Sequence, residues 1–143
     1  MSTTHRGGCL CGAIRYAITG EPVVTTLCHC RSCRLASGAP SLAWTVVSTD
    51  DLRYDTGRPS EFESSPGVFR GFCDACGTSL SWRRLDRPDT IDITTASLDA
   101  SEAFPPAKEI WLEHKLAWET AHPTLPHYAR SSVGAVPMPP EIS

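Results

Sequence analysis

Long apolar runs are absent from this sequence of 143 residues. No run reaches the roughly 18 apolar residues of a membrane-spanning helix, so we expect no membrane partner. The residues before the first cysteine lack the apolar core of a secretory signal, and we therefore expect a cytoplasmic protein. Basic residues are also too few for a general nucleic-acid surface, because the net charge is −3, and we expect no nucleic-acid partner.

The most informative residues present are seven cysteines, which fall into three short groups. The groups read C-x-C at residues 9–11, C-x-C-x-x-C at residues 28–33 and C-x-x-C at residues 73–76, and a glycine directly follows the first and the last. Thiols separated by one or two residues can converge on one metal ion, and zinc prefers four ligands in tetrahedral geometry at about 2.3 Å. The grouping therefore favours metal binding.

The cysteines allow two other interpretations. A disulfide framework is typical of secreted proteins, and an odd number of cysteines would leave one thiol unpaired. A thioredoxin-like redox motif at Cys73 and Cys76 would need a βαβ pattern around it, whereas residues 77–82 read as a turn and a strand. Metal binding remains the favoured interpretation.

The first and last groups together supply four sulfurs, whereas the middle group supplies three. Gly12 and Gly77 permit the positive φ angle of a tight metal-binding turn just before a predicted strand. One metal held by both turns would join the N-terminal strand to the middle of the sheet. A four-sulfur site is closed and structural, whereas a three-sulfur site leaves a position for water or a substrate thiol.

Short alternating stretches dominate the chain and predict a mostly β domain. One short helix is expected at about residues 32–37, where Gly38 and then Pro40 stop it. We expect one domain over residues 7–130 and a poorly ordered, proline-containing tail over residues 131–143. Turn signals are seen at residues 19–22, 55–59, 66–67 and 86–89. Strands are predicted at residues 14–18, 23–27, 42–47, 68–72, 80–82, 91–95 and 110–115.

Charged residues near the middle group are candidates for ligand binding. Arg31 and Arg34 favour thiolate over thiol in the neighbouring cysteines and could pair with a carboxylate of a ligand; the alternative is that both are merely exposed to solvent. His29 was weighed as a fourth metal ligand, but in an extended segment its side chain leaves the chain opposite to its neighbours. Three other histidines are interpreted as surface or core residues: His114, His122 and His127.

Three segments of the chain resemble the glutathione-dependent formaldehyde-activating enzyme family, which also contains centromere protein V. They are residues 8–16, 28–34 and 72–80, and the similarity extends through residues 97–99 and 110–118 to cover about residues 7–130. The resemblance implies a β-tent (Mss-four-like) fold of several small antiparallel sheets around a structural zinc, shared with zinc-containing Rab exchange factors. It implies a four-cysteine structural zinc site and a second, three-cysteine zinc site whose occupancy can be partial. Their ligands would be Cys9, Cys11, Cys73 and Cys76, and Cys28, Cys30 and Cys33.

The resemblance also implies a reaction. The family's named activity joins formaldehyde to glutathione, giving S-hydroxymethylglutathione, and its reverse is carbon–sulfur bond cleavage. We therefore expect a zinc-dependent carbon–sulfur lyase that acts on such an adduct of glutathione or another small thiol. Cys28, Cys30 and Cys33 would form the catalytic site, and Arg31 and Arg34 would contact the ligand. The alternative is a non-catalytic, zinc-stabilised binding module for a small molecule or protein.

Overall fold

The computed structural model describes residues 3–139, which form ten strands, one α-helix and four short 3-10 helices. The helix α1 spans Arg31–Ser37. The strands are β1 (Thr4–Gly8), β2 (Arg15–Thr19), β3 (Val24–Cys28), β4 (Leu42–Ser48), β5 (Leu52–Thr56), β6 (Ser60–Ser65), β7 (Val68–Phe72), β8 (Ser79–Arg84), β9 (Arg87–Thr94) and β10 (Glu109–Ile110).

The strands of the described residues form two sheets. A three-stranded sheet has the order β1-β2-β5, and a seven-stranded sheet has the order β10-β3-β4-β9-β8-β7-β6. Neighbouring strands pair antiparallel, except that β10 runs parallel to β3. The sequence-based expectation of a mostly β fold with several sheets is confirmed. No described helix is both long and apolar enough to cross a bilayer.

The hydrophobic core lies between the two sheets. Tyr16 and Ile18 of β2 are buried together with Val47 of β4, Leu80 of β8 and Ile93 of β9. Because successive side chains of a strand point to opposite faces, Val46, next to Val47 in β4, and Asp92, next to Ile93 in β9, lie on the other face of the seven-stranded sheet. That second face carries the cavity described below.

The helix α1 begins and ends at residues that the sequence identifies. Cys30 is the extended N-cap, and its Sγ accepts a hydrogen bond from the N–H of Cys33 at 3.2 Å. Gly38 follows the last turn with a φ of 71°, and its N–H donates to the carbonyl of Arg34 at 2.8 Å. Glycine adopts this left-handed conformation without a steric penalty. The predicted helix is confirmed and starts one residue earlier than expected.

Three strands were missed in the sequence analysis: β1, β5 and β6. β1 contains Gly7 and Gly8, which lack the apolar side chains by which a strand is recognised. A Cβ on Gly8 would lie 2.3 Å from the carbonyl oxygen of Ile14, so glycine is needed for the close approach of β1 to β2. β5 and β6 are edge strands with largely exposed side chains, and their apolar alternation is therefore weak.

Two sequence-based expectations need correction. The predicted strand at residues 110–115 ends at Ile110, because Trp111 has a left-handed φ of 60° and a 3-10 helix follows at Leu112–His114. A bulky residue at positive φ interrupts a strand and cannot be foreseen from apolar alternation. The turn expected at residues 86–89 lies at residues 85–86 instead, and β9 already begins at Arg87.

The end of the chain lies partly outside the description. Residues 131–139 contain no helix or strand and are mostly exposed, whereas residues 140–143 of the predicted tail lie outside the described residues. The domain limits of 7–130 stay a prediction.

Replacing Gly8 with alanine tests the close approach of β1 and β2. The new methyl group would overlap the backbone of Ile14, which cannot rotate away as a side chain can. We expect the free energy of unfolding to fall by about 1–3 kcal/mol, measured by urea denaturation of the metal-loaded protein. Thr4→Ala, at an exposed position of the same strand, is the control and should change stability by less than about 0.5 kcal/mol. Equal stabilities of the two variants would contradict the packing described here.

Candidate metal centres and the adjoining cavity

The first and last cysteine groups occupy equivalent loops of two β-hairpins. Residues 9–14 connect β1 to β2, and residues 73–78 connect β7 to β8. In each loop the N–H of the first residue donates to the carbonyl of the last, from Cys9 to Ile14 at 3.1 Å and from Cys73 to Thr78 at 3.0 Å. One hairpin belongs to the three-stranded sheet and the other to the seven-stranded sheet. The cysteines of the two sheets are thereby presented on matching turns.

Both loops turn at a glycine in the left-handed region. Gly12 has a φ of 80° and Gly77 a φ of 81°. A Cβ at either position would meet no atom within 4 Å, so the backbone conformation, and not a lack of space, is the reason for glycine. The N–H of Gly77 also donates to the carbonyl of Cys73 at 2.7 Å. The positive φ angles predicted for both positions are confirmed.

The sulfurs of these two loops form a four-sulfur cluster. The Sγ of Cys11 lies 3.6 Å from that of Cys9 and 3.8 Å from that of Cys73. Four sulfurs in a tetrahedron around zinc, each at about 2.3 Å from the ion, would stand about 3.8 Å apart. The donor set and its spacing therefore fit a closed tetrahedral metal site. The cluster consists of Cys9, Cys11, Cys73 and Cys76, whose Sγ atoms all lie within 4.8 Å of one another.

Hydrogen-bond donors surround the sulfurs of the four-sulfur cluster. The N–H of Ile14 donates to the Sγ of Cys9 at 3.3 Å, and the hydroxyl of Thr78 lies 3.2 Å from the Sγ of Cys76. The Thr78 hydroxyl and neighbouring backbone N–H groups lower the pKa of Cys76 to about 5. This thiol is therefore ionised at neutral pH, as a metal ligand must be.

The middle group forms a three-sulfur cluster of Cys28, Cys30 and Cys33, whose Sγ atoms also lie within 4.8 Å of one another. Hydrogen bonds from Cys28 and Cys33 lower the pKa of Cys30 to about 2. The same contacts, together with burial, raise the pKa of Cys28 far above its ordinary value. The cluster by itself thus accepts one negative charge readily and resists a second, so three thiolates require a cation to balance them.

Arg70 of β7 contacts the three-sulfur cluster and was missed in the sequence analysis. Its Nη1 and Nη2 donate to the Sγ of Cys33 at 3.6 and 3.7 Å, and its Nε is buried without a partner among the described residues. In a regular strand Arg70 shares one face with Val68 and Phe72, so a cation between two apolar positions of that face was the available signal. The cluster itself could not be located relative to that strand.

The two arginines predicted to bind a ligand have different surroundings. Arg31 is exposed and lines the cavity described below. The Nη2 of Arg34 donates to the backbone carbonyl of His114 at 3.4 Å, and Arg34 does not line that cavity. The ligand-binding role of both residues stays a prediction.

His29 does not join the three-sulfur cluster. Its side chain is fully buried, and its Nε2 lies 2.7 Å from Oε1 of Glu109, which is also fully buried. The Oε2 of Glu109 accepts a hydrogen bond from the backbone N–H of His122 at 2.6 Å and lies 3.1 Å from the Nε2 of His127. This network holds the segment that follows β10 against His29, which lies between the end of β3 and the start of α1.

A cavity of about 440 Å³ adjoins the three-sulfur cluster. The three cysteines of that cluster line it, and none of the four-sulfur cluster does. The volume is typical of small-molecule sites, which span roughly 300–1,000 Å³. Its apolar walls include three indole rings, those of Trp44, Trp82 and Trp111. The two clusters therefore differ in their surroundings: the three-sulfur cluster adjoins this cavity, whereas the four-sulfur cluster lies away from it, with Cys11 exposed at the surface.

The structure thus combines a two-sheet β fold with two candidate metal centres, a four-sulfur cluster and a three-sulfur cluster that lies in a cavity wall. Residues 4–114 match the family described as glutathione-dependent formaldehyde-activating enzyme. The chain belongs to this family. The expected family is thereby confirmed.

The chain is similar to a curated fungal protein and to a bacterial protein of known structure. A Schizosaccharomyces pombe protein described as an uncharacterized lyase is 34% identical over 77 residues, which are 53% of this chain and 55% of that protein. The match thus spans about half the length of this curated relative. A crystal structure of a Rhodobacter sphaeroides protein has a TM-score of 0.56 at 24% identity, covering 66% of this chain and 88% of that one. This second likeness concerns the fold alone.

Replacing Cys73 with serine tests the structural role of the four-sulfur cluster. The change removes a buried ligand and separates the two hairpins that the metal would join. Metal binding contributes roughly 10–16 kcal/mol in zinc-finger peptides, which is comparable to the whole stability of a domain. We therefore expect an unfolded or aggregated protein, observed by circular dichroism together with elemental analysis of bound metal.

Cys30→Ser is the matched control for that variant. It removes one sulfur from the three-sulfur cluster and leaves the four-sulfur cluster and the core between the sheets intact. We expect a melting temperature close to that of the wild type and a loss of up to one bound metal ion per chain. A folded Cys73→Ser protein with its full metal content would show that the four-sulfur cluster does not hold the fold.

Proposed function

We propose that the protein is a zinc-dependent carbon–sulfur lyase that cleaves thiol–aldehyde adducts such as S-hydroxymethylglutathione, with the three-sulfur cluster as its reaction site. The observation that carries the proposal is the position of Cys28, Cys30 and Cys33 in the wall of the cavity. Membership of the family and the relative described as a lyase support this reaction class.

Zinc fits both clusters by donor chemistry. Thiolates are soft ligands that zinc binds well, and four of them complete a structural site whereas three leave one position open. When bound by Cys28, Cys30 and Cys33, zinc supplies a Lewis acid that favours the thiolate form of a substrate sulfur. We assign the structural role to the four-sulfur cluster, which lies away from the cavity.

The charges of the cavity favour an anionic thiol, although the chain as a whole is acidic. Arg31, Arg70, Arg87 and Lys108 line the cavity, and none of them forms an ion pair within residues 3–139. Guanidinium and ammonium groups that are not paired with a carboxylate of the protein can bind carboxylates of a ligand by charge-assisted hydrogen bonds. Glutathione, which carries carboxylates at both ends, satisfies this charge pattern better than a neutral or cationic thiol.

The residues of the cavity can bind and orient such an adduct. Arg70 donates to the Sγ of Cys33, and its positive charge favours thiolate sulfur at this end of the cavity. The indole rings of Trp44 and Trp82 cover part of the sheet face that lines the cavity and exclude water from it. Charge interactions in this part of the cavity are thereby strengthened. Fixing the sulfur and the hydroxymethyl group in one orientation lowers the entropic part of the barrier.

Cleavage of S-hydroxymethylglutathione by the metal-loaded protein tests this function. Formaldehyde release is followed by NMR exchange measurements, and the uncatalysed rate is subtracted in every sample. We expect Cys30→Ser to abolish the catalysed rate. Arg70→Met should lower kcat/KM by about 10-fold or more, because a charged hydrogen bond of about 1.5–3 kcal/mol is lost.

Arg53→Met is the control for the arginine variant, because Arg53 pairs with Asp55 in β5 and lies outside the cavity. Its kcat/KM should match that of the wild type. An adduct of cysteamine, which lacks carboxylates, should be a poorer substrate than the glutathione adduct. Thiol binding without any acceleration by the wild type would refute the lyase function and favour a non-catalytic binding module.

A further inference from the structure

A row of three side chains crosses the cavity face of the seven-stranded sheet. Arg70 of β7 lies opposite Trp82 of β8, and Trp82 lies opposite Asp92 of β9. Residues directly opposed in antiparallel strands point to the same face, and all three line the cavity. Strands spaced about 4.8 Å apart place the Cα of Asp92 about 10 Å from that of Arg70. A carboxyl group therefore faces the cavity two strands away from the arginine that contacts the three-sulfur cluster.

Asp92 is the only carboxylic acid among the described residues that line the cavity. It is half-buried and forms neither an ion pair nor a side-chain hydrogen bond within residues 3–139. A carboxylate that is taken partly out of water without a partner costs free energy. A hydrogen-bond donor of a bound ligand is the partner that the protein does not provide.

The other titratable groups of the cavity come from every element around it. They are Arg70 of β7, Arg84 of β8, Arg87 of β9, Arg31 of α1, the three cysteines of the cluster, and Lys108 and His114 on either side of β10. Burial raises the pKa of Asp92 to about 7, although the positive charges of Arg87 and Arg70 oppose the rise. Asp92 thus exchanges a proton in the range where a general base or acid is most effective.

We propose that Asp92 is the general base for cleavage of the thiol–aldehyde adduct and the general acid for its formation, an inference that rests on the function proposed above. In cleavage the hydroxyl proton of the adduct passes to an Oδ of Asp92. The electron pair of the O–H bond forms the second carbon–oxygen bond of the aldehyde. The carbon–sulfur bond breaks, and its electron pair leaves with the sulfur as a thiolate.

The step balances without a further reactant. The proton on Asp92 returns through solvent to the thiolate, so that the adduct yields one aldehyde and one thiol. The sulfur departs at the end of the cavity formed by Cys33 and Arg70, while the hydroxyl lies toward β9. The row Arg70–Trp82–Asp92 therefore separates the group that stabilises sulfur from the group that takes the proton.

His114 is the rival proton acceptor in this cavity. Its side chain is 42% exposed, and its ring lies 5.1 Å from that of Trp111, between centroids. A histidine exposed to this extent remains in contact with solvent, which weakens its interactions with a bound ligand. Asp92 stands instead on the floor of the cavity, which the sheet forms.

The pH dependence of adduct cleavage tests the role of Asp92. With metal-loaded wild type, kcat/KM should rise with pH through an apparent pKa of about 7, because the carboxylate is the reactive form. Asp92→Asn should lower the rate about 100-fold or more and lose this dependence. Asp89→Asn is the control, because it removes the same charge from an exposed position of the same strand outside the cavity. It should retain the rate and the pH dependence of the wild type.

The outcomes separate this inference from the proposed function. If the wild type is active and Asp92→Asn keeps its rate and pH dependence, the role of Asp92 is refuted and the lyase function stands. Loss of the pH dependence in His114→Asn, with Asp92→Asn unaffected, would assign the proton transfer to His114. A wild type that does not exceed the uncatalysed rate would refute the lyase function and the role of Asp92 together.

Stability distinguishes proton transfer from a structural role of Asp92. Its pKa is higher in the folded protein than the ordinary value of 3.8, so the folded state binds the proton more tightly than the unfolded state. The free energy of unfolding of the wild type should therefore fall as the pH rises from about 4 to about 7. Asp92→Asn, which stays neutral, should be more stable than the wild type above that range and lose its advantage below it. If Asp92→Asn were less stable than the wild type above about pH 7, Asp92 would have a structural role. If Asp92→Asn does not fold, the same measurements are made with Asp92→Ser.

Discussion

Four sulfurs from two hairpin loops must meet at one point, and the arrangement of both sheets depends on that constraint. The hairpin β1–β2 belongs to the three-stranded sheet and the hairpin β7–β8 to the seven-stranded sheet. A metal held by both loops would fix the sheets at one end, while Tyr16, Ile18 and Leu80 fill the space between them. The same hairpin β7–β8 presents Arg70 and Trp82 on the opposite face of its sheet. One hairpin therefore carries both half of the four-sulfur cluster and part of the cavity wall.

In the proposed function the four-sulfur cluster supports the fold and the three-sulfur cluster carries the chemistry. The four-sulfur cluster has a complete tetrahedral donor set and lies away from the cavity, so no coordination position is left for a ligand. The three-sulfur cluster lies in the cavity wall, and the buried pair His29–Glu109 holds its loop from behind. Cationic side chains around the cavity favour a carboxylate-bearing thiol, and Asp92 adds a carboxyl group able to exchange a proton near neutral pH.

The features that could be predicted from the sequence are local ones. The spacing of the cysteines identified both clusters, and the glycines at positions 12 and 77 identified the two turns of the four-sulfur cluster, because turn geometry needs only a few consecutive residues. The left-handed Trp111 and the row from Arg70 to Asp92 could not be predicted. Which residues oppose each other across a sheet depends on strand order and register, and a shift of one residue would turn Asp92 into the core. The residues of the sheet that line the cavity could therefore be identified only from the folded structure.

Substitution with cobalt tests most directly the claim that one cluster is closed and the other accessible. Co²⁺ in a tetrahedral thiolate site gives visible absorption bands that respond to a change of ligand. The account predicts two populations of bound cobalt, of which one changes its spectrum when glutathione is added. That response should disappear in Cys30→Ser, while the spectrum of the four-sulfur site stays the same. Cobalt bands that do not respond to any thiol, or a response that persists in Cys30→Ser, would contradict the account.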